Sequence, residues 1–141
     1  MMIEEEIERL SQTYAGKVLS RRTRVVSLLG RKCEPLILYT FLGFELKMAR
    51  KRITCPDMST ARYLKIFAEL GMPSIRIPYD PTQTGRLLVE LELPLQRIKE
   101  LLLAEKLKQK QHQLKHRRIY KKIRDRLKRA EADHLINAAA K

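Results

Sequence analysis

Apolar residues first recur at helical spacing. Ile3, Ile7, Leu10 and Tyr14 stand four, three and four apart, which predicts a helix over residues 3–14. Three acids in its first turn, Glu4, Glu5 and Glu6, suit the helix dipole, and Gly16 is the expected stop. The β-branched pair Val25–Val26, closed by Gly30, predicts a strand. Beyond Pro35 the stretch LILYTFLGFELKMARKRI is rich in β-formers and aromatics. Gly43 divides it into a buried half and an alternating half, where Phe44, Leu46 and Met48 oppose Glu45, Lys47 and Ala49. The same stretch also admits a helical reading.

Asp57 or Ser59 can cap the next helix, MSTARYLKIFAELG, whose apolar Ala61, Leu64, Phe67 and Leu70 repeat at helical spacing up to a stop at Gly71. Ile75 and Ile77 of SIRIPY mark a short strand, and DPTQTG reads as a turn. Leu87, Val89, Leu91 and Leu93 alternate with Glu90 and Glu92, so Arg86–Leu93 is expected to be a strand. Pro94 supports that reading, because inside a helix it would cost about 3 kcal/mol, whereas in a first turn it is favoured. No Gly or Pro follows, and a single helix from Leu95 to Ile136 is the simplest expectation. Its apolar face is broad at Leu95, Ile98, Leu101 and Leu102. It then thins to Leu114, Ile119, Ile123 and Leu127. The pattern as a whole predicts an α/β (α+β) domain over residues 1–104, a small mixed sheet flanked by helices. A basic helical extension, residues 105–141, is expected to project from it.

Charge sharpens the division. Between Lys106 and Arg129 lie seven lysines, five arginines and one aspartate, a net +11 of the chain's formal +14. Like charge at this density repels itself, and its natural partner is a polyanion, RNA or DNA. The candidate phosphate contacts are Lys106, Lys108, Lys110, Lys115, Arg117, Arg118, Lys121, Lys122, Arg124, Arg126, Lys128 and Arg129. Two further clusters, Arg21, Arg22 and Arg24, and Lys47, Arg50, Lys51 and Arg52, fall at the ends of expected strands and could extend that surface.

Several classes are disfavoured. The acidic, amphipathic MMIEEEIERL is not a signal peptide, and the longest apolar run, Leu36–Phe44, is too short to span a bilayer. Cys33 and Cys55 have no CxxC partner and read as reduced thiols of a cytoplasmic protein. All three histidines lie in the C-terminal extension, residues 105–141, so a serine–histidine–acid triad has no support. His112 and His116 share the i, i+4 spacing of helical zinc ligands, but cations rather than acids surround them. Asp57 and Asp80, each after an expected strand, could meet at one sheet edge and bind a metal, but capping and turn formation explain both without one.

One constellation points to catalysis. The order helix, strand, strand, helix, strand, with Glu45-Leu46-Lys47 late in the second strand region, resembles the core of the PD-(D/E)XK nuclease superfamily over residues 1–80. The resemblance implies Mg²⁺ held by Glu45, by Glu34 (where the family usually has Asp) and by Glu6 of the first helix. Lys47 would orient or activate the attacking water for phosphodiester hydrolysis. Otherwise no cofactor is expected. Binding of nucleic acid by the basic helix is the leading expectation. A Mg²⁺-dependent nuclease using Glu45, Lys47 and Glu34 is the alternative, and a scaffold in a ribonucleoprotein the third.

Overall fold

In the computed structural model, which describes residues 2–139, helix α1 (Met2–Thr13) runs through a π turn (Tyr14–Val18) and leads to strand β1 (Thr23–Ser27). Strands β2 (Leu36–Thr40), β3 (Gly43–Met48) and β4 (Lys51–Cys55) follow, then α2 (Met58–Glu69), β5 (Ser74–Pro78), α3 (Pro81–Ala104) and α4 (Gln109–Ala139). The class is α+β with a long basic C-terminal helix. In place of one mixed sheet there are two antiparallel ones, the β2-β3-β4 meander and the β1–β5 pair, in which Val26 stands opposite Ile75. Leu28 N–H to Pro73 O (2.9 Å) and Tyr79 N–H to Arg22 O (3.2 Å) continue the β1–β5 ladder at both ends. Helix α2 lies between α3 and the three-stranded sheet, and α1 packs on α3 as well.

The first helix does not stop at Gly16. The Leu19 N–H bonds to Tyr14 O (3.0 Å) across a π turn, and this shift of register turns both Val18 and Leu19 into the core. Asp57 caps α2, its side chain accepting from the Thr60 N–H at 2.7 Å. At the other end Gly71, with φ +81°, closes the helix: Gly71 N–H reaches Ala68 O and Met72 N–H reaches Phe67 O, both at 3.0 Å. In the meander Leu46 and Met48 are fully buried, while Glu45 and Lys47 take the opposite face. Strand β2 is not the buried half expected. It is an edge strand, and Leu36, Tyr39 and the hairpin tip Phe41–Leu42 are exposed.

The largest departure is residues 81–104, which form one helix, not a turn and a strand. Asp80 is its cap, accepting from the Thr82 N–H at 2.9 Å, Pro81 opens its first turn, and Pro94 lies inside it. Thr84, Leu87, Leu88, Leu91, Leu95, Ile98 and Leu102 are buried at helical spacing, whereas Val89 and Leu93, needed for the strand pattern, face outward. A buried leucine or isoleucine contributes about 1.5–3 kcal/mol, so this face outweighs the roughly 3 kcal/mol cost of an interior proline.

The second departure is that α3 ends at Ala104 and α4 begins at Gln109, with no Gly or Pro to force the break. The packing of α4 accounts for it. Ile119, Tyr120, Ile123 and Leu127 are buried in the same core as α1 and α3, and a straight continuation of α3 would carry them into solvent. The basic helix is therefore docked, not projecting.

Candidate nucleic-acid interface

Helix α4 sorts its cations by face. Along the inner stripe the buried Ile119, Tyr120, Ile123 and Leu127 follow three- and four-residue steps. One flank is tied to the acids of α1: Lys122 pairs with Glu4, and Arg126 with Glu8 and, at 3.9 Å, with Glu4. Hydrogen bonding from Lys122, reinforced by the charge of Arg126, holds the Glu4 carboxyl below the usual carboxylate range. Farther back, Lys115 pairs with Glu105. The fully buried Tyr14 of the π turn donates its hydroxyl to Glu131 and accepts from the Arg76 N–H at 3.1 Å, joining α4 to β5. Its burial and the neighbouring carboxylate push the phenol far up, so it remains a donor.

The other faces, and the turn before the helix, are different. Lys106, Lys108, Lys110, Arg117, Arg118, Lys128 and Arg129 are all exposed, and none has an acidic partner among the described residues. Arg118, Lys121, Asp125 and Arg129 run along the back of the helix in steps of three, four and four, where Lys121 and Asp125 form the single exposed pair (3.3 Å). This outer stripe can neutralise phosphates one by one without reading bases.

A second basic feature lies on the flank that faces α2. There α4 and the β1–β2 loop enclose a cleft of about 410 Å³ beside the C-terminal end of α2. Arg117, Arg124 and Lys128 line it from the helix, and Arg31 and Lys32 from the loop. Arg124 is fixed by donating to Leu70 O at 2.9 Å. Gly71 suits this place because its φ of +81° is one that L side chains rarely adopt, and its bare Cα lies beside the Arg124 guanidinium and the Arg31–Lys32 backbone. The one acid on the lining, Glu69, is paired with Lys99 at 2.7 Å. His116 stacks on Tyr120, ring centres 3.9 Å apart, and burial together with Lys32 and His112 lowers its pKa. Arg31, Lys32 and Tyr120 are not among the residues that charge density marks in the sequence. The signal is present there only as two cations directly after Gly30, with a tyrosine four residues after a histidine.

The body clusters are dispersed. Arg21 donates to Lys17 O at 2.9 Å, Arg22 lies over the Tyr79 ring at 5.4 Å, and Arg24 is exposed on β1. Arg50 sits in the β3–β4 turn, Lys51 donates to Leu28 O at 3.4 Å, and Arg52 pairs with Glu45 at 3.5 Å.

The acids assigned by the nuclease resemblance occupy separate elements. Glu45 and Lys47 share the outer face of β3, with Arg52 beside Glu45. Glu34 is in the β1–β2 loop. Glu6 is buried against α3, between Arg9 (3.2 Å) and Arg97 (3.5 Å). Asp57 and Asp80 act as the helix caps described above, and both cysteines are free.

No helix among the described residues is long and apolar enough to cross a membrane. No family model, curated protein or solved structure matches the chain.

Proposed function

We propose that this protein binds RNA or DNA through phosphate contacts made mainly by the solvent faces of α4, with Arg21, Arg22, Arg24 and Arg50 as secondary contacts. The observation that carries the reading is the sorting of charge. Of the cations of α4 that face the body, Lys115, Lys122 and Arg126 are matched by Glu105, Glu4 and Glu8 and Arg124 is held by the Leu70 carbonyl, whereas seven on its other faces and in the turn before it are exposed without an acidic partner among the described residues. Unmatched cations of this density attract a polyanion and release its counterions on binding. With two free thiols, the cytoplasm is the compartment that suits it.

Deleting everything after Glu105 is no test, because it also removes core side chains. Charge reversal on the back of the helix is cleaner. The triple variant Arg118→Glu, Lys121→Glu, Arg129→Glu should fold normally and bind a mixed-sequence oligonucleotide more weakly. Across a salt series the slope of log K against log salt should fall by roughly 2–3 units, since each phosphate left without its cation accounts for about 0.7–0.9. Equal affinity and slope for wild type and variant would overturn the reading. The nuclease alternative draws on Glu45 and Lys47 sharing one face of β3, and it makes a separate prediction: cleavage with Mg²⁺ that Lys47→Ala abolishes while binding persists.

A further inference from the structure

Cations gathered in a cleft differ from cations spread along a helix. Arg31, Lys32, Arg117, Arg124 and Lys128 converge on one cavity from two elements distant in sequence, and none of them has an acidic partner among the described residues. The single acid there, Glu69, is already neutralised by Lys99. Three carbonyls at the end of α2, which would repel an anion, are engaged: Leu70 O by Arg124, Ala68 O by Gly71 and Phe67 O by Met72.

A second observation is independent of charge. Tyr120 lines the cleft and is only 4% exposed, yet its hydroxyl has no hydrogen-bond partner in the structure. A buried, unmatched hydroxyl costs about 1–3 kcal/mol, which an acceptor oxygen in the cleft would relieve. The same burial holds the phenol protonated, so it can only donate to an anion. Several positive charges, one of them fixed by its bond to Leu70 O, guanidinium forks and one neutral donor suit a multiply charged tetrahedral oxyanion better than a monocarboxylate.

We propose that this cleft is a discrete phosphate-binding site, holding one phosphate group among Arg31, Lys32, Arg117, Arg124 and Lys128 with the Tyr120 hydroxyl donating to it. The group is either that of a nucleic-acid strand or that of a free phosphoanion. The site does not depend on what the back of α4 binds, because it is defined by saturation at one pocket.

The test is a titration of the full chain with inorganic phosphate at constant ionic strength, followed by NMR at the His116 and Tyr120 rings. Saturable one-site shifts are expected, and potassium chloride should not reproduce them. The variant Lys32→Gln, Arg117→Gln should weaken phosphate about tenfold or more, since two charge-assisted hydrogen bonds to the anion disappear. Tyr120→Phe should weaken it about three- to tenfold with no loss of thermal stability, because the hydroxyl removed had no partner. The Arg118, Lys121, Arg129 reversal, which removes no cleft side chain, should leave saturable one-site phosphate binding in place and weaken it less than the Lys32→Gln, Arg117→Gln variant does, while impairing oligonucleotide binding, which separates this site from the proposed function. Competition between phosphate and an oligonucleotide would assign the phosphate to the strand, and independent binding would assign it to a free phosphoanion. Shifts that never saturate, that chloride reproduces, or that survive both cleft variants unchanged would overturn the site.

Discussion

The two sides of α4 are built from the same residue types and meet opposite fates. On the α1 side Lys122 and Arg126 are matched to Glu4 and Glu8, and Ile119, Ile123 and Leu127 beside them are buried. On the back of the helix, Arg118 and Arg129 lie in solvent without acidic partners among the described residues. Composition alone makes this segment a charged appendage. The fold makes it half structural element and half exposed basic surface, and the difference lies in four apolar side chains and three ion pairs to α1. Positive charge reports a partner only after the charges that the fold itself neutralises have been subtracted.

Substitutions on the two sides should therefore separate stability from binding. The largest effect belongs to the inner stripe. Ile123 is fully buried, and Ile123→Asp should unfold the chain, because an unpaired carboxylate in the core has no compensating partner. The milder Leu127→Ala should cost about 2–5 kcal/mol in urea denaturation. The reversal of Arg118, Lys121 and Arg129 should stay within about 0.5 kcal/mol per site. If the inner and outer variants prove equally mild, α4 is not part of the core and the comparison collapses.

Tyr14 sits between these extremes. Its hydroxyl satisfies both Glu131 of α4 and the Arg76 N–H of β5. Tyr14→Phe keeps the ring packing but leaves a backbone donor without its partner, and should destabilise by about 1–3 kcal/mol. Glu131→Gln offers a finer comparison, since it retains an acceptor and should cost less. Equal costs for the two would show that the ion, not the hydrogen bond, matters.

Local signals are legible where one period dominates. The stripe Ile3, Ile7, Leu10, Tyr14, the cap at Asp57 and the stop at Gly71 all stand in the structure as their residue types require. Residues 86–93 mislead because Leu87 and Leu91 satisfy both a two-residue and a four-residue period. Thr84 and Leu88, which break the tie, are respectively polar and out of step with alternation. Pro94 then lends weight to the wrong period, since its local cost is outweighed by burial along the whole of α3. The break at Glu105–Lys108 carries no local mark, because it follows from where α4 finds a surface to bury. The outer stripe is readable as charge. The cleft is not, since it needs the Arg31–Lys32 loop to meet Arg117, Arg124 and Lys128 of α4, which lie 85 to 97 residues further along the chain.

The smallest expected effect tests the ion pairs on the α1 side. Glu4 has a lowered pKa in the fold, chiefly through its hydrogen bond from Lys122. A carboxylate held more acidic when folded stabilises fully above its unfolded pKa, and that contribution fades as pH falls through the folded value. Acidification from neutrality into the carboxylate range should thus loosen the contact between α4 and α1. Both side chains are nearly half exposed, so solvent screening keeps the contribution at about 0.5 kcal/mol or less. Lys122→Gln should remove most of the Glu4 dependence, bringing its NMR titration midpoint back toward the ordinary carboxylate value. Added salt should do the same in the wild type, because an exposed pair is screened while the buried stripe is not. A Glu4 midpoint that stays low in Lys122→Gln and in high salt would mean that a group other than Lys122 holds it, and that the Lys122 pair contributes nothing to binding the flank of α4 to α1.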